Sequence, residues 1–363
     1  MFEGIKLVIE SLDGSRIEKD YKNPIPLRYG ENWDTKATLY LSEERTFWVK
    51  HSGKDLSLNN FSDIFRSTWF IYDVIQNIEW LKKYDECRET CVAIFKHSAP
   101  CGVSLGGNLA NAYQRALMAD QEAAFGGTLA TNEIIDESFL EKREELKRSK
   151  MYKFIECLVA PGYEPNTLRK LKDETKDMRI IQVDLDAFKK FIKEPQIVTY
   201  GDVAVLTELD YNVWNSNLLK QGKIWDVVTE RKPTNREAAD AILAWIIAKH
   251  LYSNAFAYVR NGRSIGVCGG QPHRERSGKF ACETAKMNGF NIYGEYKELS
   301  SATDSFFPFS SGIELLNKVG STAHVNPGRP DKQERDVPII NAANNCRIAL
   351  MLTRKRVFRH SIT

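Results

Sequence analysis

From residue 61 to residue 184 the chain changes its hydrophobic period repeatedly, and this limits its fold more than any other feature. Phe61, Ile64, Phe65, Trp69, Tyr72, Ile75 and Ile78 recur at helical spacing, and CVAIF (91–95) is then a continuous apolar run of strand length. NLANAYQRALMADQEAAF reads as one helix ended by Gly126-Gly127, with TLAT a strand after it. DESFLEKREELKRS, FIECLVAP, EPNTLRKLKDE and MRIIQVD continue as helix, strand, helix and strand. Such alternation predicts an α/β sheet covered on both faces. In sheets of this kind ligands bind beyond the carboxyl ends of the strands.

On either side the pattern is different. IKLVIESLDGSRIEKDY alternates about Asp13-Gly14, a hairpin signal. After KKFIKEPQ a second series begins with an extended stretch, IVTYGDVAVLTE. Thr234, three residues before Glu237, forms a capping box in front of AADAILAWIIAKHLY. NAFAYVR and RSIGVCG flank Asn261-Gly262, a type I′ hairpin signal. RSGKFACETAKMN is a helix, and FFPFSSGIELLNKVG and CRIALMLTRKRVFRH close the chain. Two α/β lobes of unequal size fit this order.

With 363 residues, 42% hydrophobic and 27% charged, the chain can bury a sizeable core. Its 51 basic and 48 acidic residues are mixed along the sequence, so no block forms a footprint for nucleic acid. MFEGIKLVIE lacks the basic stretch and apolar core of a leader, and no run reaches the roughly 18 apolar residues of a membrane span. The seven scattered cysteines read as reduced thiols, and the chain is expected to be cytoplasmic.

The chemistry centres on FKHSAPCGVS (95–104). Lys96 and His97 stand where CVAIF should stop. A histidine there exchanges a proton near neutrality, and the neighbouring ammonium stabilises developing negative charge. The plain alternative is a solvated pair in a loop. HSAPCG half matches the zinc-deaminase pattern, but no glutamate follows His97 at the required place and no second cysteine follows Cys101. A zinc site cannot be assembled from it.

SIGVCGGQPHR, with glycines at 266, 269 and 270 before His273 and Arg274, is either a phosphate cradle or a tight turn. TDSFFPF is either core or a platform for a flat heterocycle. RYGENW and RKRVFRH each put an arginine beside an aromatic residue, suiting an anion or simply a charged turn and tail.

Taken in order, LRYGENW, GKDLSLNN, FKHSAPCG, AFGGTLATN, VAPGY, SNAFAYVRNGRSIGVCGGQPHR, SFFPFSSGIE and RVFRH resemble the transformylase part of a purine-biosynthesis family. That family is the bifunctional AICAR transformylase and IMP cyclohydrolase, and the likeness runs from about residue 20 to the C-terminus. It implies formyl transfer from 10-formyltetrahydrofolate to the 5-amino group of aminoimidazole carboxamide ribonucleotide (AICAR), giving FAICAR, without the cyclohydrolase activity.

The implied fold is α/β, with two cytidine-deaminase-like three-layer α/β/α lobes without zinc. The implied lobes are residues 1–198 with 296–363 returning to them, and an inserted lobe at 199–295. A homodimer with active sites at its interface is implied too, and no metal.

By position, the resemblance makes Lys96, His97 and Asn254 catalytic, with His97 the proton acceptor, Lys96 the oxyanion partner and Asn254 orienting them. Arg28, Tyr29, Gly126, Glu156, Arg274, Phe306 and Arg356 match nucleotide-binding positions, and Phe125, Phe309 and Ser311 match donor-binding ones. Two departures stand out. Trp33-Asp34-Thr35 replaces Pro-His-Gln, and Ser311 stands where members carry an aspartate in the folate pocket. A serine cannot make a carboxylate's paired contact to the pterin's amidine-like edge. A different formyl donor, or a non-catalytic paralogue that binds a purine intermediate, are the alternatives.

Overall fold

The structure is a computed structural model that describes residues 3–10, 16–41, 46–86, 88–193, 196–200, 203–208, 212–290, 298–329 and 333–360. β1 (Ile5–Glu10), β2 (Arg16–Pro26) and β3 (Thr38–Leu41) form a small sheet. Glu10 pairs with Arg16, so the expected hairpin is present, while Asp13-Gly14 lies outside the described residues.

Twelve strands build the main sheet. Its first half holds β4 (Trp48–Ser52), β5 (Thr90–Lys96), β6 (Ala99–Gly106), β7 (Gly127–Thr131), β8 (Ile155–Ala160) and β9 (Arg179–Val183). β10 (Gln196–Tyr200) and β11 (Val203–Thr207) pair only with each other. The second half holds β12 (Asp226–Val227), β13 (Phe256–Arg260), β14 (Arg263–Cys268), β15 (Ser300–Thr303), β16 (Ala323–Asn326) and β17 (Ala349–Leu352). In space the order is β12-β17-β16-β15-β13-β14-β6-β5-β7-β8-β9-β4.

The halves repeat one topology. β6-β5-β7 is antiparallel and β7-β8-β9 parallel; β14-β13-β15 is antiparallel and β15-β16-β17 parallel. They meet where Arg263 pairs with Ser104. This corrects the expected division. The strands of residues 300–352 complete the sheet half begun at 226, because β15 pairs with β13, and only the last residues reach back to the first half.

Side-chain alternation makes three layers. Along β5, Cys91, Ala93 and Phe95 enter a core shared with helices Leu58–Gln76 and Asn235–His250, while Val92 and Ile94 enter the opposite one. The second helix is apolar nearly all round and is buried accordingly. Its capping box is formed, with Thr234 Oγ1 accepting from Glu237 N at 3.2 Å and Glu237 Oε2 from Thr234 N at 2.8 Å. On the other face, Tyr113, Phe139 and Leu171 cover the first half-sheet, and Ala281, Leu316 and Ile339 the second. Among the described residues no helix is long and apolar enough to cross a membrane.

One expected helix is two. Leu109–Leu117 ends at Met118, and Asp120 caps a short helix, Gln121–Ala124, by accepting from Ala123 N at 2.9 Å.

Candidate active site

β5 does not stop at the Lys-His pair. Lys96 pairs with Ala99 and the chain folds straight back as β6, so Pro100, Cys101 and Gly102 lie in a strand. His97 and Ser98 have φ of 54° and 62°, as the two central residues of a tight hairpin require. Pro100 is tolerated because the register shifts between Ile94 and Phe95, opposite it. The turn leaves His97 exposed and Lys96 half-buried, with Lys96 Nζ donating to Phe125 O at 2.8 Å.

Two side chains from distant parts of the chain grip this turn. Ser98 N donates to Asp63 Oδ1 at 2.5 Å, and Arg359 Nη1 donates to Ser98 O at 2.6 Å. Burial pushes the Asp63 carboxyl up to about 6, opposed by the Ser98 hydrogen bond and the nearby His97. Glu156 adds its charge to the same place, and Arg179 Nη1 donates to it at 2.7 Å. Arg179 Nη2 reaches Asp55 O at 2.9 Å, next to the segment that receives Arg28 and Tyr29. There Arg28 N donates to Leu56 O and Leu58 N to Tyr29 O, with the Arg28 guanidinium 5.3 Å from the Tyr29 ring centre.

Gly126 has φ of 74°, and a Cβ there would meet nothing within 4 Å. The left-handed backbone, not crowding, demands glycine, and the space beside it is open.

A second group forms around Arg274. Its Nη2 donates to Asn254 Oδ1 at 2.6 Å and to Asp304 Oδ1 at 3.4 Å, and its Nη1 to Phe306 O at 3.1 Å. Asn254 Nδ2 donates to Gln271 O at 2.7 Å, so this side chain is engaged with Arg274 and Gln271. The C-terminal segment joins the groups: Val357 N donates to Asp304 O, Ser253 N to Arg359 O, and Arg359 reaches Ser98. Arg356 is exposed between these anchors, 4.3 Å from the Phe358 ring centre.

The aromatic rings expected at the donor side stand in the open, Phe125 58% and Phe309 71% exposed. Arg329 braces the loop that carries Phe309, lying 4.6 Å over the Phe306 ring and donating to Pro308 O at 2.8 Å. Ser311 Oγ donates to Glu275 Oε1, so a carboxylate from the first turn of helix Arg274–Met287 stands beside the serine. Cys101 is no nucleophile here, since burial pushes its thiol up to about 12. Among the described residues no three His, Cys, Asp or Glu side chains are grouped to hold a metal.

A family model described as AICARFT/IMPCHase bienzyme matches residues 5–284. The chain belongs to this family. Among curated relatives, the bifunctional purine biosynthesis protein PurH of Chloroflexus aurantiacus is 32% identical over 341 residues, covering 92% of this chain and 59% of that protein. The proteins of the same name from Lactobacillus delbrueckii and Caldicellulosiruptor saccharolyticus are 33% and 34% identical, each with 92% of this chain and 59% of the relative covered. The chain thus spans about 59% of the length of these relatives. A solved structure of NE0047 with 8-azaguanine overlaps 43% of this chain and 91% of its own, at 15% identity and a TM-score of 0.24, too low to define a fold.

In this AICARFT/IMPCHase chain three site residues escape motif reading: Asp63, Glu275 and Arg359. A usable signal for Asp63 was its place in the helix before the hairpin, which Asp240 shares in the second half.

Proposed function

We propose that the chain transfers the formyl group of 10-formyltetrahydrofolate to the 5-amino group of AICAR, giving FAICAR. The observation that carries this reading is the Lys96–His97 turn. It holds an exposed imidazole beside an ammonium already hydrogen-bonded through Phe125 O, at one end of the sheet. The amine of AICAR is a poor nucleophile, its lone pair delocalised towards the carboxamide. It attacks the formyl carbon while His97 takes its proton, the oxyanion forms against Lys96, and the carbon–nitrogen bond to the folate breaks as that nitrogen is protonated. General-base help contributes about 10²–10⁴-fold. A cation on the oxyanion supplies roughly 3–4 kcal/mol, by analogy with a lost oxyanion donor.

Arg274, Phe306, Asn254, Arg356, Arg28, Tyr29, Gly126 and Glu156 hold the nucleotide in this reading, the first three being already linked through Arg274. Phe125 and Phe309 offer exposed ring faces to the folate. Glu275, touching Ser311, supplies the carboxylate that Ser311 itself lacks, which favours a folate donor over another. The matched half-sheets support a pair of cytidine-deaminase-like units. A homodimer in the cytoplasm completes the proposal, with sedimentation as its check.

The test is turnover. Purified protein is given AICAR and 10-formyltetrahydrofolate, and FAICAR and tetrahydrofolate are followed. His97→Asn keeps a residue that accepts positive φ but removes the base. It should lower kcat at least about 100-fold with nucleotide affinity nearly unchanged. Wild-type protein that binds AICAR without turnover would sink the formyltransferase reading.

A further inference from the structure

The repeated half-sheets carry a repeated device. Helix Leu58–Gln76 precedes the β5–β6 hairpin and helix Asn235–His250 precedes β13–β14, and the sixth residue of each is an aspartate, Asp63 and Asp240. Each accepts from the turn of the hairpin that follows. Asp63 takes Ser98 N at 2.5 Å; Asp240 takes Asn261 N at 2.8 Å and Gly262 N at 2.6 Å. All four central turn residues are left-handed, with φ of 54°, 62°, 50° and 69°. Pinning the turn by an aspartate therefore belongs to the fold.

The turns differ in how their carbonyl is held. Gly262 O receives a backbone donor, Leu105 N, at 2.7 Å. Ser98 O receives the side chain of Arg359, whose Nη1 also donates to His250 O at 2.6 Å. The guanidinium is buried and lies 4.1 Å over the Tyr252 ring, so it is fixed from several sides.

We propose that Asp63 and Arg359 are positioning residues that clamp the N–H and C=O of Ser98, so that Lys96 and His97 reach working geometry only when the segment around Arg359 is docked. The catalytic part of this rests on the formyltransferase reading; the clamp does not. Catalysis is sensitive to such placement, since a displacement of about 1 Å costs on the order of 100-fold.

The experiment uses the full chain with Asp63→Ala, Asp63→Asn, Arg359→Ala and Arg359→Lys, each checked for cooperative melting. Hydrogen exchange of the Ser98 amide is measured beside kcat and the KM for AICAR. Asp63→Ala and Arg359→Ala should speed exchange at Ser98 about 10-fold or more and lower kcat on the order of 100-fold, with KM changed less than about 3-fold. Asp63→Asn, which retains an oxygen acceptor, should recover most of both losses. Guanidinium ion should partly restore kcat in Arg359→Ala. A folded Asp63→Ala or Arg359→Lys with unchanged Ser98 exchange overturns the clamp, as does a loss confined to KM. Should the alanine variants not fold, Asp63→Asn and Arg359→Lys decide it by the same exchange measurement. Wild-type protein without turnover removes the formyltransferase reading, and exchange at Ser98 still decides the clamp.

Discussion

Arg274 holds the side-chain oxygen of Asn254 at 2.6 Å with the same nitrogen that faces Asp304 at 3.4 Å. One guanidinium thus positions a neutral side chain and offsets a fully buried carboxylate. Burial raises the Asp304 carboxyl and lowers the Arg274 guanidinium, so each depends on the other to stay charged.

Arg274→Ala should therefore do more than weaken ligand binding. Leaving Asp304 buried without its cation costs about 3–5 kcal/mol, readable by urea denaturation. Arg274→Lys keeps the charge but cannot also reach both Phe306 O and Asn254 Oδ1. It should fold and bind AICAR roughly 10–100-fold more weakly, the worth of a charged hydrogen bond. Unchanged affinity in Arg274→Lys would take Arg274 out of the nucleotide site.

The donor side gives a second prediction. From the sequence, restoring aspartate at 311 should tighten folate binding. With Ser311 Oγ hydrogen-bonded to Glu275, Ser311→Asp instead sets two carboxylates against each other. It should raise the KM for 10-formyltetrahydrofolate, and Glu275→Gln should raise it about 10-fold or more while the KM for AICAR moves little. If Glu275→Gln leaves the donor KM alone, the carboxylate faces something other than the pterin.

How much of this was legible depends on how local each feature is. The Thr234 capping box and the Asn261-Gly262 hairpin were readable because a few adjacent residues specify them. β6 was hidden because Pro100 and Gly102 argue for a loop, and only the bulge opposite Pro100 reconciles them with a strand. The break before Asp120 was masked by an apolar pattern that runs through it. Strand pairing across the sheet is non-local, so the place of residues 300–352 was misjudged. Lys96 and His97 were visible as neighbours, whereas Asp63 and Arg359 meet Ser98 across 35 and 261 positions.

A third prediction concerns the buried cluster behind the turn. Lys249 Nζ and His250 Nε2 both reach Asp73 Oδ2, at 2.7 and 2.8 Å, and all three residues are buried. Asp73→Asn strands the Lys249 ammonium in the core and should cost about 3–5 kcal/mol in denaturation. Asp73→Asn combined with Lys249→Met should recover much of that, since replacing both charges removes the uncompensated one. A double variant no more stable than Asp73→Asn would show that Asp73 matters through His250 alone.

The acid response sets two of these buried groups against each other. Burial lowers His250 from 6.5 to about 4, so between those values the unfolded chain takes up a proton that the fold refuses, and stability falls on acidification. His324, lowered by burial to about 3, acts in the same direction. Asp63 acts in the other. Its folded value is near 6, above its ordinary 3.8, so between about 6 and 4 the fold takes up the proton first and gains stability as pH falls. Each of His250 and Asp63 corresponds to roughly 3 kcal/mol over its window. Urea denaturation at pH 7, 6, 5 and 4 should show wild-type stability declining, Asp63→Asn declining more steeply, and His250→Gln less steeply. Equal slopes in all three proteins would mean that neither group changes its proton affinity on folding, and the charged state assigned to Asp63 at neutral pH would lose its energetic cost.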